Sequence, residues 1–310
     1  MRRGWRGPPG ANASGRPSRA APACRPRPAT MPDCRPRAAS TSPQDAPMPL
    51  SAEQLTEYMD FAASLAQAAG AASLPYFRSA PAVEDKGGRR FDPVTEADKA
   101  AEHAMRALIR ARYPQHGILG EEEGRVAGSS PLTWVLDPID GTRAFITGLP
   151  LWGTLIALND GQRPVLGVMD QPYTRERFSG DGRGAWLNGQ PLRTRACAEL
   201  AQAKVMCTTP EMFDDEAQFA AFRRVADAAR MQRYGGDCYA YCMVAAGHVD
   251  AVVEAGLKPY DVQALIPIVQ GAGGVMTSWS GGDAQHGGTV VACGDARLHG
   301  QILALLNAPA

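Results

Sequence analysis

Trp134-Val-Leu-Asp137-Pro-Ile-Asp140-Gly-Thr142 carries an apolar strand straight into two acids three residues apart. In open α/β sheets, ligands bind at the carboxyl ends of strands. Pro138 and Gly141 predict a tight turn there, aiming both carboxylates and the Ile139 carbonyl into one concavity. An all-oxygen set of this kind suits a hard cation such as Mg²⁺. An Asp-Pro pair alone would equally fit a plain solvated turn. The apolar run before it and the Gly-Thr after it favour a site.

Working outward, further acids fall where strands should end. Ile118-Leu119 leads into Gly120-Glu121-Glu122-Glu123-Gly124, and Glu121, nearest the apolar run, is the best candidate ligand. Acid runs are more often solvated loop faces. Val253-Glu254 closes another apolar run, and Asp261 opens a helix seven residues later, where an acid often serves only as a cap. Gly235-Gly236 precedes a helix whose first N–H groups are placed to hold phosphate or a substrate oxygen. Gly271-Ala-Gly-Gly274 reads as a helix end running into a strand. Neither glycine cluster is a nucleotide-binding motif.

The rest of the chain reads as layered α/β. Ser51 and Gln54 form a capping box before a helical stripe from Leu55 to Ala69. Thr95 caps a second helix, with Asp98 three residues on. Strands are expected at Thr133–Leu136, Trp152–Leu158, Pro164–Met169 and Arg175–Phe178, and Asn188-Gly189 signals a hairpin. Beyond about residue 195, strands at Lys204–Cys207, Val249–Val253, Gly274–Thr277 and Thr289–Ala292 alternate with helices near 214–230, 237–246, 261–271 and 295–306.

Composition narrows the function classes. Residues 1–50 hold nine Arg against Asp33 and Asp45, with 11 of the 25 Pro, and form an expected disordered tail. Met31 and Met48 are alternative starts. The remaining chain carries 23 basic and 30 acidic residues, which argues against a nucleic-acid surface and suits a cation site. No apolar run is long enough to span a membrane. Seven scattered Cys without C-x-x-C, and five dispersed His, offer no zinc spacing and suggest reduced thiols in the cytoplasm. Cys238 and Cys242, one helical turn apart, read as small core residues.

Four pieces in order, Asp92-Pro-Val-Thr95-x-x-Asp98, Gly120-Glu121-Glu122, Asp137-Pro-Ile-Asp140-Gly-Thr142 and Tyr260-Asp261-Val262, resemble the inositol monophosphatase family over about residues 51–308. Gly141-Thr-Arg-Ala-Phe-Ile146, Pro150-Leu-Trp-Gly-Thr154, Asp170-Gln-Pro172 and Tyr234-Gly-Gly-Asp-Cys-Tyr239 look like its histidinol-phosphate phosphatase branch. Ala144 departs from an Asn common in the broader family. The resemblance implies an α-β-α-β-α sandwich of the inositol monophosphatase/fructose bisphosphatase type. Residues 51–194 would form an N-terminal lobe with the metal site, and residues 195–310 a C-terminal lobe with the substrate site.

It also implies two or three Mg²⁺ per site. Glu121, Asp137 and the Ile139 carbonyl would hold one, and Asp137, Asp140 and Asp261 a second. Thr142 would stand beside the attacking water, Asp98 would orient it, and Lys86 would come from a mobile loop. Gly141, Thr142 and Arg143 would meet the phosphate. Gly235, Gly236, Asp237 and Glu254 would face the rest of the substrate, the two acids pairing with the cationic end of L-histidinol phosphate. The expected activity is its hydrolysis in histidine biosynthesis, by a homodimer. Two alternatives stand beside it: an inositol-1-phosphate or sugar phosphate phosphatase, and a non-catalytic binder of a phosphate metabolite. The physical logic is that phosphate monoesters carry about two negative charges near neutral pH. Bound cations offset them.

Overall fold

The computed structural model describes residues 50–79, 83–87 and 93–309. The expectations for the tail through residue 49 and for Asp92 lie outside the described residues. Ser51 opens α1 (Ala52–Ser73) with the expected capping box, and Thr95 opens α2 (Glu96–Arg112) with a second one completed by Asp98. Between them β1 (Val83–Asp85) and β2 (Pro93–Thr95) form a two-stranded ribbon.

An eight-stranded sheet follows in the order β10-β9-β8-β7-β6-β5-β3-β4. Its strands are β3 (Gly117–Gly120), β4 (Arg125–Val126), β5 (Thr133–Asp140), β6 (Gly153–Asn159), β7 (Pro164–Gln171), β8 (Glu176–Gly180), β9 (Ala185–Leu187) and β10 (Gln190–Pro191), and the short helix α3 (Thr142–Ile146) follows β5. The β9–β10 hairpin turns at Asn188 and Gly189, both at positive φ, as its tight loop requires. A five-stranded sheet has the order β12-β11-β13-β15-β14, from β11 (Lys204–Cys207), β12 (Met231–Tyr234), β13 (Ala251–Leu257), β14 (Val275–Ser278) and β15 (Gly288–Cys293). Its helices are α4 (Glu216–Ala228), α5 (Asp237–Ala245), α6 (Pro259–Val262), α7 (Leu265–Gly271) and α8 (Ala296–Leu306). No helix among the described residues is long and apolar enough to cross a membrane.

Strand alternation sets the layers. On β5, Trp134 and Leu136 pack with Leu65, Met105 and Ile109 of α1 and α2. Val135 points the other way, with Leu155 and Met169, into a core shared with Tyr241 of α5, Ile268 of α7 and Val252 and Val290 of the second sheet. The far face of that sheet packs Val253 and Val291 against Phe222 of α4 and Leu298 of α8. The result is the α-β-α-β-α sandwich. The central helices sit close on the large sheet. A Cβ on Gly167 would lie 1.9 Å from the Ala264 carbonyl oxygen, and one on Gly180 would lie 2.5 Å from the Ile268 Cα.

Four local readings are corrected. Asp137-Pro-Ile-Asp140 is not a turn: β5 stays paired through Asp140, with a register shift between Asp137 and Asp140, and the chain turns at Gly141, φ 86°. The helix expected over 261–271 is two, α6 and α7. β13 runs on to Leu257 past Glu254. β12 was not expected, because Met231–Tyr234 is an edge strand with mostly exposed side chains and no apolar alternation.

Candidate active site

Three element ends converge. Asp137 and Asp140 close β5, Glu121 follows the end of its parallel neighbour β3, and Asp261 lies on α6 just after β13. One carboxylate oxygen from each of Asp137, Asp140 and Asp261 lies within 4.8 Å of the others. Asp137 is buried, and one of its oxygens accepts the Ile139 N–H at 3.1 Å. Asp261 accepts the Lys258 N–H at 2.7 Å.

Asp140 is held from the opposite side. Its Oδ2 accepts the Cys238 N–H at 2.6 Å, in the first turn of α5. Gly235, Gly236 and Asp237 precede that contact with three successive positive φ values, 87°, 127° and 43°. This overturns the expectation that the first N–H groups here are free for phosphate. The Gly235 N–H donates to the Cys207 and Thr208 carbonyls, and the Asp237 N–H to the Thr208 hydroxyl. The helix start therefore serves a carboxylate of the protein itself.

Burying acids together raises their proton affinity. Burial first, then the charges of Glu121, Asp140 and Asp261, pushes Asp137 well above the usual carboxylate range. Burial and the Asp261 charge push Asp140 up to about 8. Burial, with Glu121 and Glu254 nearby, pushes Asp261 up to about 7. A cluster of one buried and two half-buried carboxylates that resist ionisation together is the donor set a hard divalent cation stabilises. The residues present fit such an ion, and Glu121 borders the same cluster, its charge being among those that raise Asp137.

Lys86 reaches this site from the ribbon, donating to Glu121 at 2.8 Å and to Glu122 at 2.5 Å. Burial pushes Glu122 up to about 7 despite the lysine. Asp98 is buried. Its Oδ2 accepts the Thr95 N–H and hydroxyl at 2.8 and 2.6 Å, while Oδ1 has no partner among the described residues. The Thr142 hydroxyl donates to the Ile139 carbonyl at 3.1 Å. The expected Thr142–Asp98 pair is thus not joined by a direct hydrogen bond: Asp98 is committed to its capping box.

Beside the carboxylates opens a cavity of about 340 Å³ lined by Gly141, Thr142, Arg143, Asp237 and Asp261. Asp237 takes left-handed backbone, uncommon for a residue with a side chain but tolerated by Asp. It is not the helix cap: Gly236 holds that position and Asp237 makes no side-chain capping bond. Burial, then the Asp140 and Glu254 charges, holds its pKa well up, with Arg143 opposing. Glu254 is placed differently from expectation. It is buried in the middle of β13, with its oxygens accepting the Thr208 N–H at 2.7 Å and the Tyr241 hydroxyl at 2.8 Å. It lines a smaller cavity of about 90 Å³ with Asp140, Asp237 and Asp261 rather than the 340 Å³ one, because β13 continues past it. Glu211 and Asp214 line the same cavity and were not anticipated. Their signal was available: they follow β11, at a strand end of the same sheet.

The family model described as "Inositol monophosphatase family" matches residues 54–308. The chain is 43% identical over 275 residues to "Bifunctional phosphatase IMPL2, chloroplastic" of Arabidopsis thaliana, covering 85% of this chain and 79% of that protein. It is 37% identical over 229 residues to a histidinol-phosphatase of Chlorobaculum parvum, covering 73% and 88%. The solved structure of an inositol monophosphatase from Zymomonas mobilis superimposes with a TM-score of 0.75 at 39% identity, covering 84% of this chain and all of that one.

Proposed function

The chain belongs to the inositol monophosphatase family, a family of phosphatases, and on that premise we propose that it hydrolyses L-histidinol phosphate to L-histidinol and phosphate. The observation that carries this reading is the pairing of one carboxylate cluster, Asp137, Asp140 and Asp261, with a neighbouring cavity that further acids line. A phosphate monoester needs cations. A substrate that also carries an ammonium and an imidazole finds Asp237, Glu211 and Asp214 lining the same cavity.

Glu121, Asp137, the Ile139 carbonyl, Asp140 and Asp261 would hold Mg²⁺, which supplies positive charge to offset that of the phosphate. The N–H groups of Gly141 and Thr142, with Arg143, orient the phosphate at the start of α3. Asp98 is pushed by burial up to about 6, so at neutral pH it is mostly ionised. Its unpartnered Oδ1 is the acceptor available for a proton of the attacking water. The Thr142 hydroxyl, already donating to Ile139, offers lone pairs to orient that water. Burial and the Asp140 and Glu254 charges raise the proton affinity of Asp237 against the pull of Arg143, and an incoming ammonium favours its ionised form. The free, buried state of the five described cysteines supports a reducing compartment such as the cytoplasm.

The test is a phosphate-release panel over histidinol phosphate, inositol-1-phosphate, fructose bisphosphate and glycerol phosphate. The expected result is highest kcat/KM on histidinol phosphate. Asp237→Asn is expected to cost about ten- to a hundredfold there, as loss of a charge-assisted bond does, and little on glycerol phosphate. Equal losses on both would make Asp237 structural and remove the histidinol reading. Preference of the wild-type protein for inositol phosphate would support the inositol reading instead.

A further inference from the structure

Glu102 and Arg106 stand one turn apart on α2, and both side chains are fully buried. A pair that only strengthened the helix would do so from its exposed face. Burying two charges is costly unless their hydrogen bonds are met. Here those bonds point into the loop that carries Glu121. Glu102 Oε2 accepts the Glu122 N–H at 2.8 Å, and Oε1 accepts the Glu123 N–H at 2.9 Å. Arg106 Nε donates to Glu102 Oε1 at 2.7 Å, and Nη2 donates to the Gly124 carbonyl at 2.5 Å.

The same loop is closed on itself and on β5. The Gly120 N–H donates to the Gly124 carbonyl, and the Glu121 N–H to the Leu136 carbonyl. Three successive amides, 121 to 123, are therefore anchored. Contact is so close that a Cβ on Gly120 would fall 2.1 Å from Glu102 Oε1. Glu123 is turned toward Arg106 and Arg110 at 3.6 and 3.7 Å, which leaves Glu121 and Glu122 to face Lys86. Arg106 Nη1 has no partner among the described residues. An apolar pair would avoid that cost, so the charges are placed for the loop and not for packing.

We infer that the buried Glu102–Arg106 pair is a positioning device for the Glu121 loop and sets the affinity of the carboxylate cluster for a divalent cation. This rests on the metal-site reading proposed above. Partners that orient a metal ligand typically control ten- to a hundredfold in affinity.

The test is calorimetric titration of Mg²⁺ into metal-stripped full-length protein, with hydrogen exchange read at the 121–123 amides. Glu102→Gln should weaken the Mg²⁺ Kd by about ten- to a hundredfold and speed exchange at those amides, with kcat at saturating Mg²⁺ within about threefold of wild type. The double variant Glu102→Gln/Arg106→Met leaves no unpaired buried charge. It should keep the weakened Kd with a restored Tm, and it carries the test where the single variant fails to fold. Asp250→Asn breaks an ion pair far along the chain, between buried Asp250 and the exposed Arg195 at 2.5 Å, and should lower Tm while leaving the Mg²⁺ Kd unchanged. Variants of the pair that bind Mg²⁺ within twofold of a normally binding wild type would overturn the inference alone. A wild-type protein that takes up no Mg²⁺ would overturn the metal-site reading and this inference with it.

Discussion

Asp137 is the residue on which the carboxylate cluster turns, being buried and close to Glu121, Asp140 and Asp261 together. Asp137→Asn removes one anionic donor while keeping the shape. Turnover is expected to fall below a tenth of wild type at saturating Mg²⁺. The metal-free variant at pH 8 should melt no lower than wild type, since Asn is neutral in the cluster without having to hold a proton. Measuring kcat and Tm together separates the two effects, and a variant with normal kcat would remove Asp137 from the ligand set. Thr142 and Asp98 are expected to act through one water. Each single loss should cost about 10²–10⁴-fold, and the double variant should cost far less than the product. Because no hydrogen bond joins them directly, a fully multiplicative double mutant would mean that they serve separate steps.

At the scale of elements, the start of α7 lies so close on β7 that a Cβ on Gly167 would fall 1.9 Å from the Ala264 carbonyl oxygen. Gly167→Ala forces the Ala264 backbone away from β7. Overpacking of this kind costs about 1–3 kcal/mol, or roughly 3–10 °C in Tm. Calorimetry showing an unchanged Tm would mean that α7 is free to shift. The same scale shows what the sequence can and cannot tell. Strongly periodic segments such as α2 and β5 were legible because their apolar stripes match one period. β12 was not, because an edge strand with exposed side chains has no stripe to read. Glu254 was misplaced because an acid after Val253 looks like a strand end, and only its bonds to Thr208 and Tyr241 reveal a buried acceptor. Glu102 and Arg106 gave no signal in the sequence, since i, i+4 spacing alone cannot show that a loop covers them. The metal-ligand candidates were legible from local strings, whereas Glu211 and Asp214 become neighbours of Asp237 only through the sheet.

The whole molecule should record the carboxylate cluster in its pH dependence. In the metal-free protein, Asp140 and Asp261 titrate at about 8 and about 7, against an ordinary value of 3.8. The folded state then binds protons more tightly than the unfolded chain. Its stability from these groups is greatest below pH ~4 and falls as pH climbs from ~4 to ~8. A divalent cation replaces those protons, so the rise in Tm on adding Mg²⁺ should be larger at pH 8 than at pH 5.5. Thermal unfolding at both values checks this, and a shift that shrinks toward pH 8 would argue that Mg²⁺ binds elsewhere.

The cluster of Asp137, Asp140 and Asp261 should make phosphate release by this chain depend on a cation. The most direct measurement is phosphate release from histidinol phosphate by metal-stripped protein as Mg²⁺ is titrated in. No release above background is expected without the ion, a saturable rise with it, and no rise in Asp137→Asn under the same titration. Full release in the presence of a chelator, or an equal rise in the variant, would contradict it.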